Sequence, residues 1–194
     1  MSESLDALAG RMRACRLCEA HLPLGPHPVF RLSATARLLI VGQAPGTRVH
    51  ESGVPWNDRS GDRLRQWLGL DRERFYDQAR IAILPAGLCY PGRDAKGGDR
   101  PPRPECAPLW HPAALALMPE IRLTLLVGRY AQALYLTPRP LSLTATVAAW
   151  RDYLPRFLPL PHPSWRTTAW EAKTPWFTAE LLPQARRLVA ELYS

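Results

Sequence analysis

Ala36-Arg-Leu-Leu-Ile-Val-Gly42-Gln-Ala-Pro-Gly46 is an apolar run stopped by glycine and followed by a turn rich in glycine and proline. Uninterrupted apolar character over so few residues marks a strand buried on both faces, as in a parallel sheet. The same pattern returns three times. Ile81-Ala-Ile-Leu84 ends at Pro85, Leu123-Thr-Leu-Leu-Val127 ends at Gly128, and Phe157-Leu-Pro-Leu160 runs into Pro161-His-Pro-Ser164. Between the runs lie helical stretches. Residues 3–20 carry Leu5, Leu8, Met12 and Cys15 at helical spacing, and Ser60 can cap a helix through Leu64, Trp67 and Leu68. Further helices are predicted over Glu105–Leu117, Arg129–Tyr135, 145–153 and 178–192, with loops over 43–58 and 90–104. Such alternation gives an α/β fold, a three-layer α/β/α sandwich around a four-stranded parallel sheet, in one domain over residues 1–194. Ligands of such folds bind beyond the carboxyl ends of the strands. Those ends carry Gly42–Gly46, Pro85–Gly87, Gly128–Tyr130 and His162–Ser164, and the glycines among them allow close approach to the backbone.

The 194 residues carry a net charge of +8, which points to a polyanionic partner, nucleic acid first. No apolar run reaches the roughly 18 residues of a membrane span, and the N-terminal stretch lacks the apolar core of a signal peptide. The expected location is the cytoplasm, the expected state a monomer, and the thiols are expected to be reduced. The 21 prolines gather at 21–30, 85–112, 137–140 and 155–164, as ordered loops or element ends do.

There are four cysteines: Cys15 and Cys18 form a C-x-x-C pair, while Cys89 and Cys106 lie far downstream. Four thiolates from two distant segments suit one metal centre, either zinc or an iron–sulfur cluster.

Gly42-Gln-Ala-Pro-Gly46 after a buried strand, with His162-Pro-Ser164 after the last strand, resembles the two signature motifs of the uracil-DNA glycosylase superfamily. The cysteine pattern is similar to that of its iron–sulfur branch, family 4. The resemblance implies a [4Fe–4S] cluster on Cys15, Cys18, Cys89 and Cys106, with zinc the lesser alternative. It also implies single- or double-stranded DNA as the partner, and hydrolysis of the bond between sugar and an everted uracil or other damaged base. His162 then donates to the leaving base. Gly42, Ala44, Pro45 and Gly46 shape the base pocket, Trp56 of Gly53-Val-Pro-Trp56 stacks on the base, and Asp58 opens the glycine-bearing turn that follows. Ser164 and Arg166 hold phosphate, and Trp165 or Trp170 wedges into the duplex. Arginines 48, 59, 63, 65, 93, 100, 103, 129 and 166 supply the phosphate-binding face.

Two positions depart from the family pattern. Gln43 stands where family 4 carries a glutamate implicated in activating water. An amide orients water but does not take its proton, so His50 is the first candidate substitute, and Gln43→Glu is expected to raise turnover if Gln43 sits at the water. Pro85 stands where the family carries an asparagine that reads the pyrimidine edge, which puts strong uracil specificity in question.

Overall fold

The computed structural model describes residues 3–138 and 142–193. Of the proline-rich loop at 137–140, residues 139 and 140 lie outside the described residues. The four apolar runs form β1 (Leu38–Val41), β2 (Ile81–Ile83), β3 (Leu123–Val127) and β4 (Phe157–Leu160). They make one sheet in the order β2-β1-β3-β4, every pair parallel, with Leu38 opposite Ile81 and Leu123, and Thr124 opposite Phe157. The helices are α1 (Leu5–Arg13), α2 (Thr47–Ser52), α3 (Arg59–Leu68), α4 (Arg72–Phe75), α5 (Cys106–Ala116), α6 (Arg129–Tyr135), α7 (Leu143–Ala148), α8 (Thr167–Lys173) and α9 (Leu182–Glu191).

Successive strand residues point to opposite faces, and this divides the core in two. Leu38, Ile40, Ile83, Leu125, Val127, Leu158 and Leu160 pack on one face against Leu64 and Leu68 of α3 and Ala185 and Val189 of α9. Leu39, Val41, Ala82, Leu84 and Leu126 pack on the other against Leu8 and Met12 of α1, Trp110 and Ala114 of α5 and Ala131 of α6. The three-layer α/β/α sandwich and its four-stranded parallel sheet are therefore as the sequence pattern implies. Each fully buried leucine or isoleucine contributes roughly 1.5–3 kcal/mol.

The element ends differ in instructive ways. The N-terminal helix stops at Arg13 rather than continuing to 20, and Leu17 beyond it is exposed with no core to meet. Cys15 and Cys18 thus sit in a turn beyond the helix. The cap of α3 is Asp58 and not Ser60: Asp58 Oδ1 accepts from the Gly61 N–H at 2.8 Å. Within the loop expected over 43–58, α2 forms between Gly46 and the left-handed Gly53, whose N–H bonds the Val49 carbonyl at 2.9 Å. The predicted helix 145–153 resolves into α7 and a tight turn over Trp150–Tyr153, and a wide turn over Phe177–Leu181 leads into α9. The segment after His162 is helical as α8 rather than a loop.

One buried polar group lies just beneath the carboxyl edge of the sheet. His111 of α5 is 6% exposed. Its Nε2 faces the Pro85 carbonyl at 3.1 Å and its Nδ1 faces the Tyr135 hydroxyl at 2.7 Å. A carbonyl only accepts, so Nε2 carries the proton and Nδ1 accepts from Tyr135. Burial holds the ring's pKa below its ordinary value. The unfolded chain therefore binds the extra proton first as pH falls, and this part of the stability is present above about pH 6.5 and lost below it. The urea midpoint is expected to drop between pH 7.5 and pH 5.5, and to drop less in His111→Gln, as equilibrium unfolding at the two pH values will show.

Candidate functional site

All four strands end at the same edge, and the segments leaving β1, β2 and β4 enclose a cleft of about 550 Å³ that opens to solvent. Gly42, Ala44, Pro45 and Gly46 form one wall, Trp56 and Asp58 a second, and His162, Pro85 and Asp99 complete it. Seven of the residues singled out from the sequence thus meet here: Gly42, Ala44, Pro45, Gly46, Trp56, Asp58 and His162.

Trp56 is held in an unusual state. Its φ is +58°, the one positive value at a non-glycine among the described residues. A left-handed residue with a Cβ costs on the order of 1–3 kcal/mol and persists only where its surroundings over-determine it. Here they do. The Tyr76 hydroxyl donates to the Pro55 carbonyl at 2.8 Å, and Arg65 Nη1 donates to the Trp56 carbonyl at 3.3 Å. Arg65 is buried, paired with Asp62 at 2.5 Å, and stacked over Phe75 and Tyr76. Gly61 leaves room for the Trp56 carbonyl, which a Cβ there would strike. The indole itself lies over Gly42, where a Cβ would come within 2.8 Å of Cζ2. The ring is therefore fixed against the first strand-end turn, with its centroid 5.9 Å from that of His162 and the two planes inclined by 34°.

His162 is half-buried between two prolines. Its carbonyl accepts from the Ser164 N–H at 2.8 Å and from the Thr167 hydroxyl at 2.5 Å, which fixes the backbone that aims the ring. Desolvation lowers the imidazole's pKa, and the carboxylates of Asp58 and Asp99 oppose that shift without reversing it. The ring is thus neutral at neutral pH, with one N–H to donate.

Gln43 and His50 are placed elsewhere. Gln43 does not line the cleft; its Nε2 donates to the Arg100 carbonyl at 3.1 Å. The His50 ring also lies outside the lining, edge-on to His27 at 5.1 Å and beside Tyr90 at 5.9 Å. Burial and the neighbouring His27 lower its pKa. The structure therefore does not bring His50, the first candidate for water activation, into the cleft lining. Asp99, which sequence reasoning passed over within a polar loop, does reach the cleft.

The outer rim is built from the segment after β4. Trp165 is 78% exposed, with the Arg166 guanidinium 5.5 Å from its ring. The Ser164 carbonyl accepts from Arg63 Nη1 at 2.8 Å, and Arg63 also pairs with Glu171 of α8 at 2.5 Å. Trp170 is no wedge: its Nε1 donates to Thr144, and its ring packs against Trp176 and Phe177. The arginine set divides in the same way. Arg65 is buried, Arg63 and Arg103 are ion-paired, and Arg48, Arg59, Arg93, Arg100, Arg129 and Arg166 are exposed. All six exposed arginines lie in segments that follow the carboxyl end of a strand, and none of them lines the cleft.

A second cavity, of about 360 Å³, is lined by Cys15, Cys18, Cys89 and Cys106 together with Arg103 and Trp110. All four thiols are free. The Leu88 N–H points to Cys106 Sγ at 3.3 Å. Burial pushes the Cys89 thiol up to about 11 and that of Cys106 up to about 12. Arg103 Nε is buried there without a hydrogen-bond partner among the described residues. Among the described residues no three cysteine, histidine or carboxylate groups converge as a single metal ion requires.

A model of the uracil DNA glycosylase superfamily matches residues 30–186, and the chain belongs to that superfamily. Among solved structures it is similar to the solution structure of a candidate uracil DNA glycosylase from Methanosarcina acetivorans, at 17% identity and a TM-score of 0.43, over 83% of this chain and 98% of the other.

The clamp on Trp56 makes a direct prediction. Gly61→Ala is expected to destabilise the protein by on the order of 3 kcal/mol, because either Trp56 or the start of α3 must move. Denaturant unfolding of the variant will measure the loss.

Proposed function

We propose that the protein is a monofunctional DNA N-glycosylase that hydrolyses the glycosidic bond of uracil or another deaminated or damaged base everted from DNA. The observation that carries this reading is the pairing of Trp56 and His162 in one cleft at the strand-end edge, on a superfamily fold.

The chemistry follows from those groups. A base must leave the stack at a cost of a few kcal/mol. A flat ring held against Gly42 offers it a stacking surface. As the glycosidic bond stretches, negative charge gathers on the base and positive charge on the sugar. The N–H of neutral His162 then strengthens its bond to the departing base, with no reorganisation of a backbone already tied to Ser164 and Thr167. The exposed arginines and Trp165 engage backbone and stack at the rim. Lyase chemistry has no candidate amine, since Lys96 and Lys173 are both exposed and outside the cleft lining.

Two residues at the site differ from the family pattern. Pro85 lines the cleft but offers no side-chain donor, and its carbonyl is engaged by His111. Together with the diversion of Gln43, this favours the second reading, a non-catalytic nucleic-acid-binding protein, should no product form. Incision assays on single- and double-stranded oligonucleotides carrying uracil, hypoxanthine or xanthine are expected to yield abasic product with at least one of them. His162→Ala is expected to lower the rate by roughly 100-fold or more. Product that is absent, or unaffected by the substitution, removes the enzymatic reading.

The four-cysteine cavity is proposed to hold a [4Fe–4S] cluster. Four thiols lining one cavity, a backbone N–H aimed at one sulfur and an unpartnered arginine Nε suit an anionic thiolate-bound centre, and the family 4 cysteine pattern favours the cluster over zinc. It would join the turn after α1 to the start of α5 and supply structural support behind the cleft. Purified protein is expected to absorb visible light and contain iron. Cys106→Ser is expected to remove both and lower the thermal midpoint, whereas a colourless protein containing zinc overturns the assignment.

A further inference from the structure

The segment after β2 is a built structure and not a loose loop. Asp94 Oδ1 accepts from the N–H groups of Lys96 and Gly98 at 2.9 Å each, and the Asp94 N–H bonds the Gly98 carbonyl at 2.8 Å. Arg93 and Asp99 form an antiparallel bridge, and the Arg100 N–H bonds the Gly92 carbonyl at 2.9 Å. The returning arm of this hairpin is pinned to the strand-end turn by the Gln43 amide on the Arg100 carbonyl. The residue just before the pin is Asp99. Its carboxylate enters the cleft, where Oδ2 lies 3.8 Å from the position a Cβ on Gly46 would occupy, and it acts electrostatically on His162. No hydrogen bond or ion pair engages that carboxylate among the described residues. Asp58, the other acid in the lining, is committed through Oδ1 to capping α3.

Resting on the glycosylase reading, we infer that Asp99 is the catalytic carboxylate of this site, and that Gln43 is the positioning residue that holds it there. Position 43 has not lost a function so much as exchanged it: an amide can donate to the Arg100 carbonyl, which a carboxylate cannot. The acid is supplied from across the turn. In the reaction, the bond between the base nitrogen and the anomeric carbon breaks, and its electron pair leaves with the base. The carboxylate of Asp99 stabilises the cationic sugar and accepts a proton from the water whose oxygen bonds to that carbon. The proton held by Asp99 then passes through solvent to the departed base anion, so the products are the neutral base and an abasic sugar bearing a hydroxyl. Gln43→Glu is therefore expected to lower turnover, contrary to expectation from the sequence, by setting a carboxylate against a carbonyl and releasing the hairpin.

The test compares binding of two single-stranded oligonucleotides, one with a cationic pyrrolidine abasic analogue and one with a neutral tetrahydrofuran analogue. Wild type is expected to prefer the cation by about tenfold or more, as a charge-assisted contact gives. Asp99→Asn is expected to abolish that preference without lowering the thermal midpoint, and Asp99→Glu to retain part of it. Gln43→Ala is expected to reduce the preference in wild type and to have no further effect on it in the Asp99→Asn background. Equal loss on both oligonucleotides, an undiminished preference in Asp99→Asn, or no preference in wild type overturns the inference while leaving the glycosylase reading to its incision assay. A wild type that binds neither analogue above undamaged DNA overturns both.

Discussion

A sheet whose strands all run one way, covered by helices on both faces, has no solvent side. Every residue of β1, β2 and β3 is buried, so the connecting segments can only reach water at the two edges where strands begin and end. At the carboxyl edge those segments are the turn at Gly42–Gly46, the hairpin after β2, the glycine turn at Gly128 and the His162 segment. Bringing residues 42 and 162 into one cleft is thus a consequence of burial and direction rather than of any attraction between them.

That dependence explains what could be read in advance. The strands were legible because two-faced burial demands unbroken apolar runs, and each run ends at glycine or proline. Helices with an apolar face on the core, such as α3 and α6, were legible for the same reason. Elements that owe their existence to local polar bonding were not. Helix α2, Thr-Arg-Val-His-Glu-Ser, buries only Val49, so no periodicity announces it. Helix α8 buries only Thr167. The cap of α3 fell on Asp58 because a side chain must be spaced to meet the Gly61 N–H, which composition alone does not resolve.

The site divides along the same line. His162 follows the last apolar run directly and Trp56 closes the string Gly53-Val-Pro-Trp56, so their meeting was readable from motif order. Asp99 lies deep in a polar segment of glycine, proline and charge, and only the Asp94 turn and the Gln43 bond bring it inward. The reverse holds for Gln43 and His50, which have suitable chemistry and suitable sequence positions but side chains engaged elsewhere. Arg65, one of nine arginines assigned to a DNA face, proved to be the internal strut of Trp56.

Helix α3 touches both jaws of the cleft. Its first turn accommodates Trp56 through Gly61 and Asp58, and one turn later Arg63 grips the Ser164 carbonyl and Glu171 beyond His162. Because a helix of ten residues is stiff, the stacking wall and the imidazole wall travel as one body. The spacing between the two walls is therefore set from inside the fold, by α3. On the proposed glycosylase reading, selection among bases falls on which of them fits a gauge of that calibre.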